Sequence, residues 1–293
     1  MGLWLAARSG AALLLFVLGL ANAGCSYAPV NELKLFRESV VATNAAATPV
    51  LDEVSATEKR QERTIVTNQE RRSRTILAFD PAQARYFSDI SDGPAATVFR
   101  RGHHVLDRLS DVLLSLATGR NSADEVDAIG SLATESGALL NVIGVGVAVG
   151  PAFDTLRPAL TELSKDLGRT EARRVIAQVE AAHLVKNLVT ALVSATPKMF
   201  VTLTGEAERR ANSAGAPAEA MAQLLDRSTK VRIVLSNYVV LLRQTSDAWD
   251  EAVRAAEAKS SSANFGALTE RVAEVKAAAL ATRMAFANLN TPR

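Results

Sequence analysis

The amino-acid sequence predicts an all-α protein, an elongated bundle of long, kinked helices that follows a cleaved signal peptide. Three observations predict it. Alanine, the strongest helix former, supplies 52 of the 293 residues, while glycine (16) and proline (9) are scarce. Apolar residues recur at spacings of three and four over long stretches, the period of one helical face. The β-branched and aromatic clusters that mark strands are few, and aromatics make up only 5% of the chain. No internal repeat of fixed period points to a solenoid. The apolar stripes are too interrupted for one sustained coiled coil.

The first element is an export segment. Met1–Gly10 carry one charge, Arg8, and Ala11–Ala21 is an apolar run of eleven residues. A short basic region, an apolar run of this length and small residues after it form the pattern of a secretory signal peptide. A bilayer span takes roughly 20 apolar residues. Ala23-Gly24-Cys25 resembles the cleavage box of bacterial lipoproteins, in which a small residue precedes a cysteine that is acylated and becomes the new N-terminus. Asn22 stands where that family usually has leucine, and Leu20 lies two positions further back. The resemblance implies residues 1–24 as signal peptide, Cys25 as a palmitate-bearing residue, and residues 25–30 as a short tether. Ser26, where an aspartate would signal retention, resembles family members passed to the outer membrane, so the implied location is the outer membrane facing the periplasm. Ordinary cleavage after Ala23 is the alternative; it yields a secreted or soluble periplasmic protein with a free thiol. Cys25 is the only cysteine, which excludes an intrachain disulfide framework and a cysteine-based zinc site.

Residues 31–293 read as one helical domain. A first long helix is expected from about Asn31 to Ala78, with a break or kink at Pro49. Asp80-Pro81 and Asp92-Gly93-Pro94 mark residues 79–94 as a loop. A second helix, from about Ala95 to Thr118, carries Val98, Val105, Leu109, Val112, Leu113 and Leu116 on one stripe and stops at Gly119. Ser122 and Glu125 form a capping box that starts a third helix, running toward Gly150-Pro151, with a further kink at Pro158. The next helix is expected from about Thr170 to Asn212, bent at Pro197. Its stripe is Val175, Val179, Leu184, Leu188, Leu192, Met199 and Leu203. Another runs from about Pro217 to Ala258, with proline well placed as a first helical residue. A last one, from about Asn264 to Leu289, is rich in alanine.

Four features invite chemistry. Residues 136–153 contain no charge, and Gly144, Gly146 and Gly150 lie within them. Gly146 and Gly150 are spaced so that two helices can approach closely. The stretch reads first as a helix buried in the bundle, and second as an element that inserts into a membrane, as α-helical pore formers do. Its glycine spacing does not fit a dinucleotide fingerprint. Arg60, Arg63, Arg71 and Arg74 fall within about 80° of one another on a helix, a basic stripe roughly 20 Å long that suits anionic lipid headgroups or an acidic partner. Glu58, Glu62 and Glu70 lie nearby and blunt it. His103 and Asp107 share a helical face, but two side chains do not make a metal site, and both read as solvated polar residues.

With 33 basic and 31 acidic residues the formal charge is only +2, which excludes a strongly basic nucleic-acid binder. No catalytic motif, phosphate loop, metal site or cofactor is expected. The function expected is that of a non-catalytic interaction or scaffold module, tethered to a membrane by its lipid and presenting helical surfaces to an envelope protein. The alternative is a membrane-active, pore-forming-like helical protein that inserts residues 136–153.

Overall fold

Val30–Ser73 forms a single helix of 44 residues, α1, about 66 Å long at 1.5 Å per residue. Leu33, Phe36, Val40, Ala47, Val50, Leu51 and Val54 recur at three and four along it and are buried. This is the computed structural model of the chain, and it describes residues 29–119, 169–213, 215–258 and 262–289. After α1 come a 3₁₀ turn, Pro81–Gln83, and the four-residue α2, Ala84–Phe87. Five further helices follow: α3 (Pro94–Thr118), α4 (Arg169–Ala181), α5 (Leu184–Ala211), α6 (Ala218–Glu257) and α7 (Ser262–Leu289). The protein is an all-α bundle, with no strand among the described residues.

Helix α1 lies at the centre of the packing and touches α3, α5, α6 and α7. Its neighbour α3 runs antiparallel to it. Glu58 meets Ala95, Asp52 meets Arg100, Asn44 meets His103 and Arg37 meets Asp111. One end of the bundle therefore gathers Val30 and the C-terminus of α3 at Gly119. Arg173 of α4 lies close enough to Glu32 to favour its charged form, so α4 covers this proximal end. Here Phe36 and Trp249 pack with ring centroids 5.1 Å apart and planes tilted by 60°, in a core that also holds Leu113, Val179, Val253 and Leu268. A second core, nearer the other end, is built on Val50, Phe99, Met199, Val234 and Tyr238.

Three local expectations need correction. Pro49 does not break α1, which continues hydrogen-bonded through it. The carbonyl it leaves without a partner belongs to Ala45, on the exposed face, where water can satisfy it. Pro197, expected to bend its helix, lies within a continuous α5, where Thr196 Oγ1 donates at 2.8 Å to the Val193 carbonyl that the proline leaves without its helical partner. The helix expected over 170–212 is two helices. His183 turns the chain in the left-handed conformation at φ 50°, with no glycine or proline to announce it. The first helix stops at Ser73, capped by Arg74 at φ 52°, and the loop expected over 79–94 contains the 3₁₀ turn and α2. The helix expected from Ser122 and the kink at Pro158 lie outside the described residues.

The N-terminus of α3 is capped from a distance. Gly93 precedes Pro94 at its first turn, and no side chain of its own caps it. Glu58 of α1 reaches over, and its carboxylate accepts the Ala95 and Ala96 backbone N–H groups at 2.9 and 3.2 Å. Two orphan helix donors are thereby satisfied, and a negative charge faces the positive end of the helix dipole. Gly93 is required here by space. A Cβ on it would come within 2.3 Å of Glu58 Oε2.

Candidate functional site

Three places in the bundle concentrate polar or exposed apolar groups. The first is buried. His103, expected as a solvated residue, is 5% exposed. Its Nδ1 lies 2.8 Å from Asn44 Oδ1 and its Nε2 lies 2.7 Å from the Tyr238 hydroxyl. An amide oxygen only accepts, so Nδ1 carries the proton, and the Tyr238 hydroxyl donates to Nε2. Burial, with Arg100 nearby, pushes the imidazole down to about 4, and burial pushes the Tyr238 phenol well up. Both ring nitrogens are thus satisfied by a neutral imidazole. Asp107 is half-buried on the same helix, its carboxyl pushed up by burial and by Asp111. It takes no part in the His103 triad. Among the described residues no group of three or more His, Cys, Asp or Glu side chains is placed to hold a metal ion.

The second place is a groove of about 490 Å³ between α1, α3 and α5, lined by Glu58, Pro94, Val98, Phe99, Pro197 and Lys198. Its volume is that of a small-molecule site and its walls are mostly apolar. Burial pushes the Glu58 carboxyl up, and the two α3 amides partly offset that shift. Both carboxylate oxygens already accept those amides. Glu58 is therefore an intramolecular cap and not a free base.

The third place is the distal hook. Beyond Thr57 no residue of α1 is buried, so its last sixteen residues, about 24 Å of helix, project past the core. Residues 74–93 fold back along this overhang. Lys59 Nζ donates to the Ser88 carbonyl at 2.8 Å. Arg63 donates to the Tyr86 and Phe87 carbonyls at 2.8 and 3.2 Å, and its guanidinium lies 5.8 Å from the Phe87 ring centroid. Glu70 Oε1 accepts the Leu77 N–H at 3.1 Å. A second cavity, about 480 Å³, opens between Val66 and Gln69 on α1 and Leu77, Phe79 and Phe87 on the returning strand of chain.

The four arginines of the expected stripe divide here into two pairs. Arg60 pairs with Glu53 at 3.0 Å and Glu206 at 3.7 Å, and Arg63 is the clamp on residues 86–87. Arg71 and Arg74, with Arg72 between them, are exposed at the tip and form no ion pair among the described residues. Sequence reasoning missed Arg72 as part of this group because it fell off the 80° stripe. At a helix terminus the angular argument no longer applies, since Arg74 is already in the left-handed conformation. Cys25, Gly144, Gly146 and Gly150 lie outside the described residues. So does the rest of the uncharged segment 136–153.

Of the described helices, Leu184–Ala211 alone is long and apolar enough to cross a membrane by length and composition, and half of that window is buried inside the bundle. Comparison with protein-family models, curated proteins and solved structures finds no match to this chain.

Proposed function

We propose that the protein is a lipid-anchored, non-catalytic module of the bacterial cell envelope, held to the outer membrane through Cys25 and presenting its helical bundle to a partner protein. One observation carries the reading. The packed core begins at once where α1 begins, with Glu32 fully buried, Leu33 2% exposed and Phe36 fully buried. Val30 lies only five positions after Cys25, a reach of at most about 18 Å. An acyl chain on Cys25 would therefore hold the proximal end of a well-packed bundle close to the bilayer, rather than trail it on a long leash. Tethering of this kind acts through effective concentration: the domain meets its partner within a thin layer next to the membrane. Stable residence needs acyl chains buried in the bilayer.

The membrane-inserting alternative has one observation in its favour. The stretch containing 136–153 connects Gly119, at the end of α3, to Arg169, at the start of α4, and both helices contribute to the proximal end, where Val30 also lies. Under either reading that end faces lipid.

The experiment is metabolic labelling with palmitate in a bacterial host, followed by dye release from liposomes with the purified protein. The tether reading expects label on the wild type, none on Cys25→Ser, and no dye release. Equal labelling of both proteins overturns it. Rapid dye release, abolished by Gly146→Glu in a chain that still folds, replaces it with the insertion reading.

A further inference from the structure

We propose that the distal hook is a second, non-covalent membrane contact: its tip docks on the anionic headgroup surface of a lipid bilayer. The inference stands apart from acylation at Cys25. It rests on the opposite end of α1, about 66 Å of helix away from Val30.

Exposed apolar side chains and exposed positive charge meet at this tip. Ile76 is 88% exposed and Phe79 75% exposed, within five residues of Arg74. Single exposed apolar residues are ordinary on protein surfaces. Two large ones at a projecting tip, beside three exposed guanidinium groups, are not. Arg71, Arg72 and Arg74 are exposed and have no ion pair among the described residues. Glu70, one turn before Arg74, accepts the Leu77 N–H, and Asp80 Oδ1 accepts the Ala82 N–H at 2.9 Å; both keep their charge, so between residues 70 and 80 three arginines face two carboxylates. The tip therefore presents positive charge outward, and the complementary surface is anionic.

Exposure favours a bilayer over a protein. The tip stands beyond the last buried residue of α1, with Ile76 and Phe79 both exposed on it. A protein partner would need a cavity matched to Ile76 and Phe79, whereas a fluid interface yields to whatever apolar group is pressed into it. Arginine suits this role because its planar guanidinium binds phosphate oxygens in pairs and is weakly hydrated. Each basic residue near an anionic bilayer contributes about 1 kcal/mol, so three supply binding that salt will screen.

The test places a reporter at the tip. In the full chain carrying Cys25→Ser, an environment-sensitive fluorophore is attached to the new thiol of Ile76→Cys, and in a second protein to that of Leu280→Cys, an exposed position on α7. Each is titrated with vesicles of phosphatidylcholine mixed with phosphatidylglycerol, and with vesicles of phosphatidylcholine alone. The tip label should shift to the blue on the mixed vesicles only, the α7 label on neither, and high salt should reverse the shift. Replacing Arg71, Arg72 and Arg74 by glutamine should weaken the tip's partitioning by about 100-fold, the equivalent of about 1 kcal/mol per residue. Circular dichroism checks that the variants share the parent's helicity. No shift at the tip, an equal shift on both vesicle types, or an unaltered triple variant overturns the proposal. An equal shift with soluble polyglutamate in place of vesicles also overturns it, and assigns the tip to an acidic protein partner.

Discussion

Two stretches of α1 are equally helical and have little else in common. Between Val30 and Thr57 the helix buries thirteen residues; between Glu58 and Ser73 it buries none. The first stretch is helix because its apolar stripe is covered by four other helices, and tertiary packing dominates helical stability. The second is helix because its residues favour the conformation and because its charged side chains are put to structural use. Glu58 caps α3, and Lys59, Arg63 and Glu70 fasten the returning chain. The difference teaches that a run of charges on an exposed helix need not form a field. Here Glu58, Lys59, Arg63 and Glu70 bind backbone groups and Arg60 pairs with Glu53 and Glu206, while Arg71, Arg72 and Arg74 face outward.

The sharpest way to break this comparison is to remove one large side chain from each stretch's surroundings. Trp249 is 1% exposed, packs on Phe36, and donates from Nε1 to Glu180 Oε2 at 2.8 Å. Trp249→Ala should lower stability by about 3–5 kcal/mol, through a cavity and an orphaned carboxylate oxygen. Ile65→Ala, at 53% exposure on the overhang, should stay within about 0.5 kcal/mol of the parent. Urea denaturation followed by circular dichroism measures both. Comparable losses would mean that the overhang packs against something substantial.

A smaller effect separates the bundle's interior from its surface by pH. Folded His103 titrates at about 4, against about 6.5 for an unfolded histidine. Above about pH 6.5 both states hold a neutral imidazole. Between the two values the unfolded chain binds a proton that the folded one refuses, so stability falls as pH falls, and the loss is complete below about 4. The shift corresponds to about 3 kcal/mol. Glu32, Glu58 and Asp107, which burial pushes up, work in the opposite sense because the folded state protonates them first. The measurement is therefore the difference in urea midpoint between wild type and His103→Gln across pH 7 to about 4. That difference should narrow as the pH falls. A constant difference would show that His103 is not neutral and buried in solution.

What the sequence made legible follows from what periodicity can see. Val98, Val105, Leu109, Val112, Leu113 and Leu116 are all buried, as are Val175, Val179, Leu184, Leu188, Leu192, Met199 and Leu203. The break at His183 was illegible because the same apolar stripe continues on both sides of it, and neither glycine nor proline interrupts. His103 was misread because its type is polar. Only its place opposite Asn44 and Tyr238, 59 and 135 residues away in sequence, makes it a core residue. The same holds for Glu58, a cap for a helix that starts 36 residues later. Of the candidate site, the outward charge of Arg71 and Arg74 was visible as a helical angle, but not the internal commitment of Arg60 and Arg63. Those contacts depend on where residues 86–88 and Glu206 return in space.

A small effect on global stability is also the one most informative about the overhang. Arg63 holds the Tyr86 and Phe87 carbonyls and lies over the Phe87 ring. These groups are partly exposed, so the charge-assisted hydrogen bonds are shared with water, and their loss should cost about 1 kcal/mol or less. The local consequence is larger than the global one. Once Arg63 is lost, the returning chain is still fastened to α1 by Lys59, Glu70 and Ser55, at Ser88, Leu77 and Gly93. Arg63→Ala should therefore leave the cooperative unfolding transition almost unmoved. Amide exchange over residues 74–93 should quicken, and limited proteolysis should cut there first, since local opening depends on few contacts. Residues 30–57 should keep their protection. Exchange that rises equally in both stretches would mean that α1 opens as one cooperative unit, and that the overhang borrows its stability from the buried half.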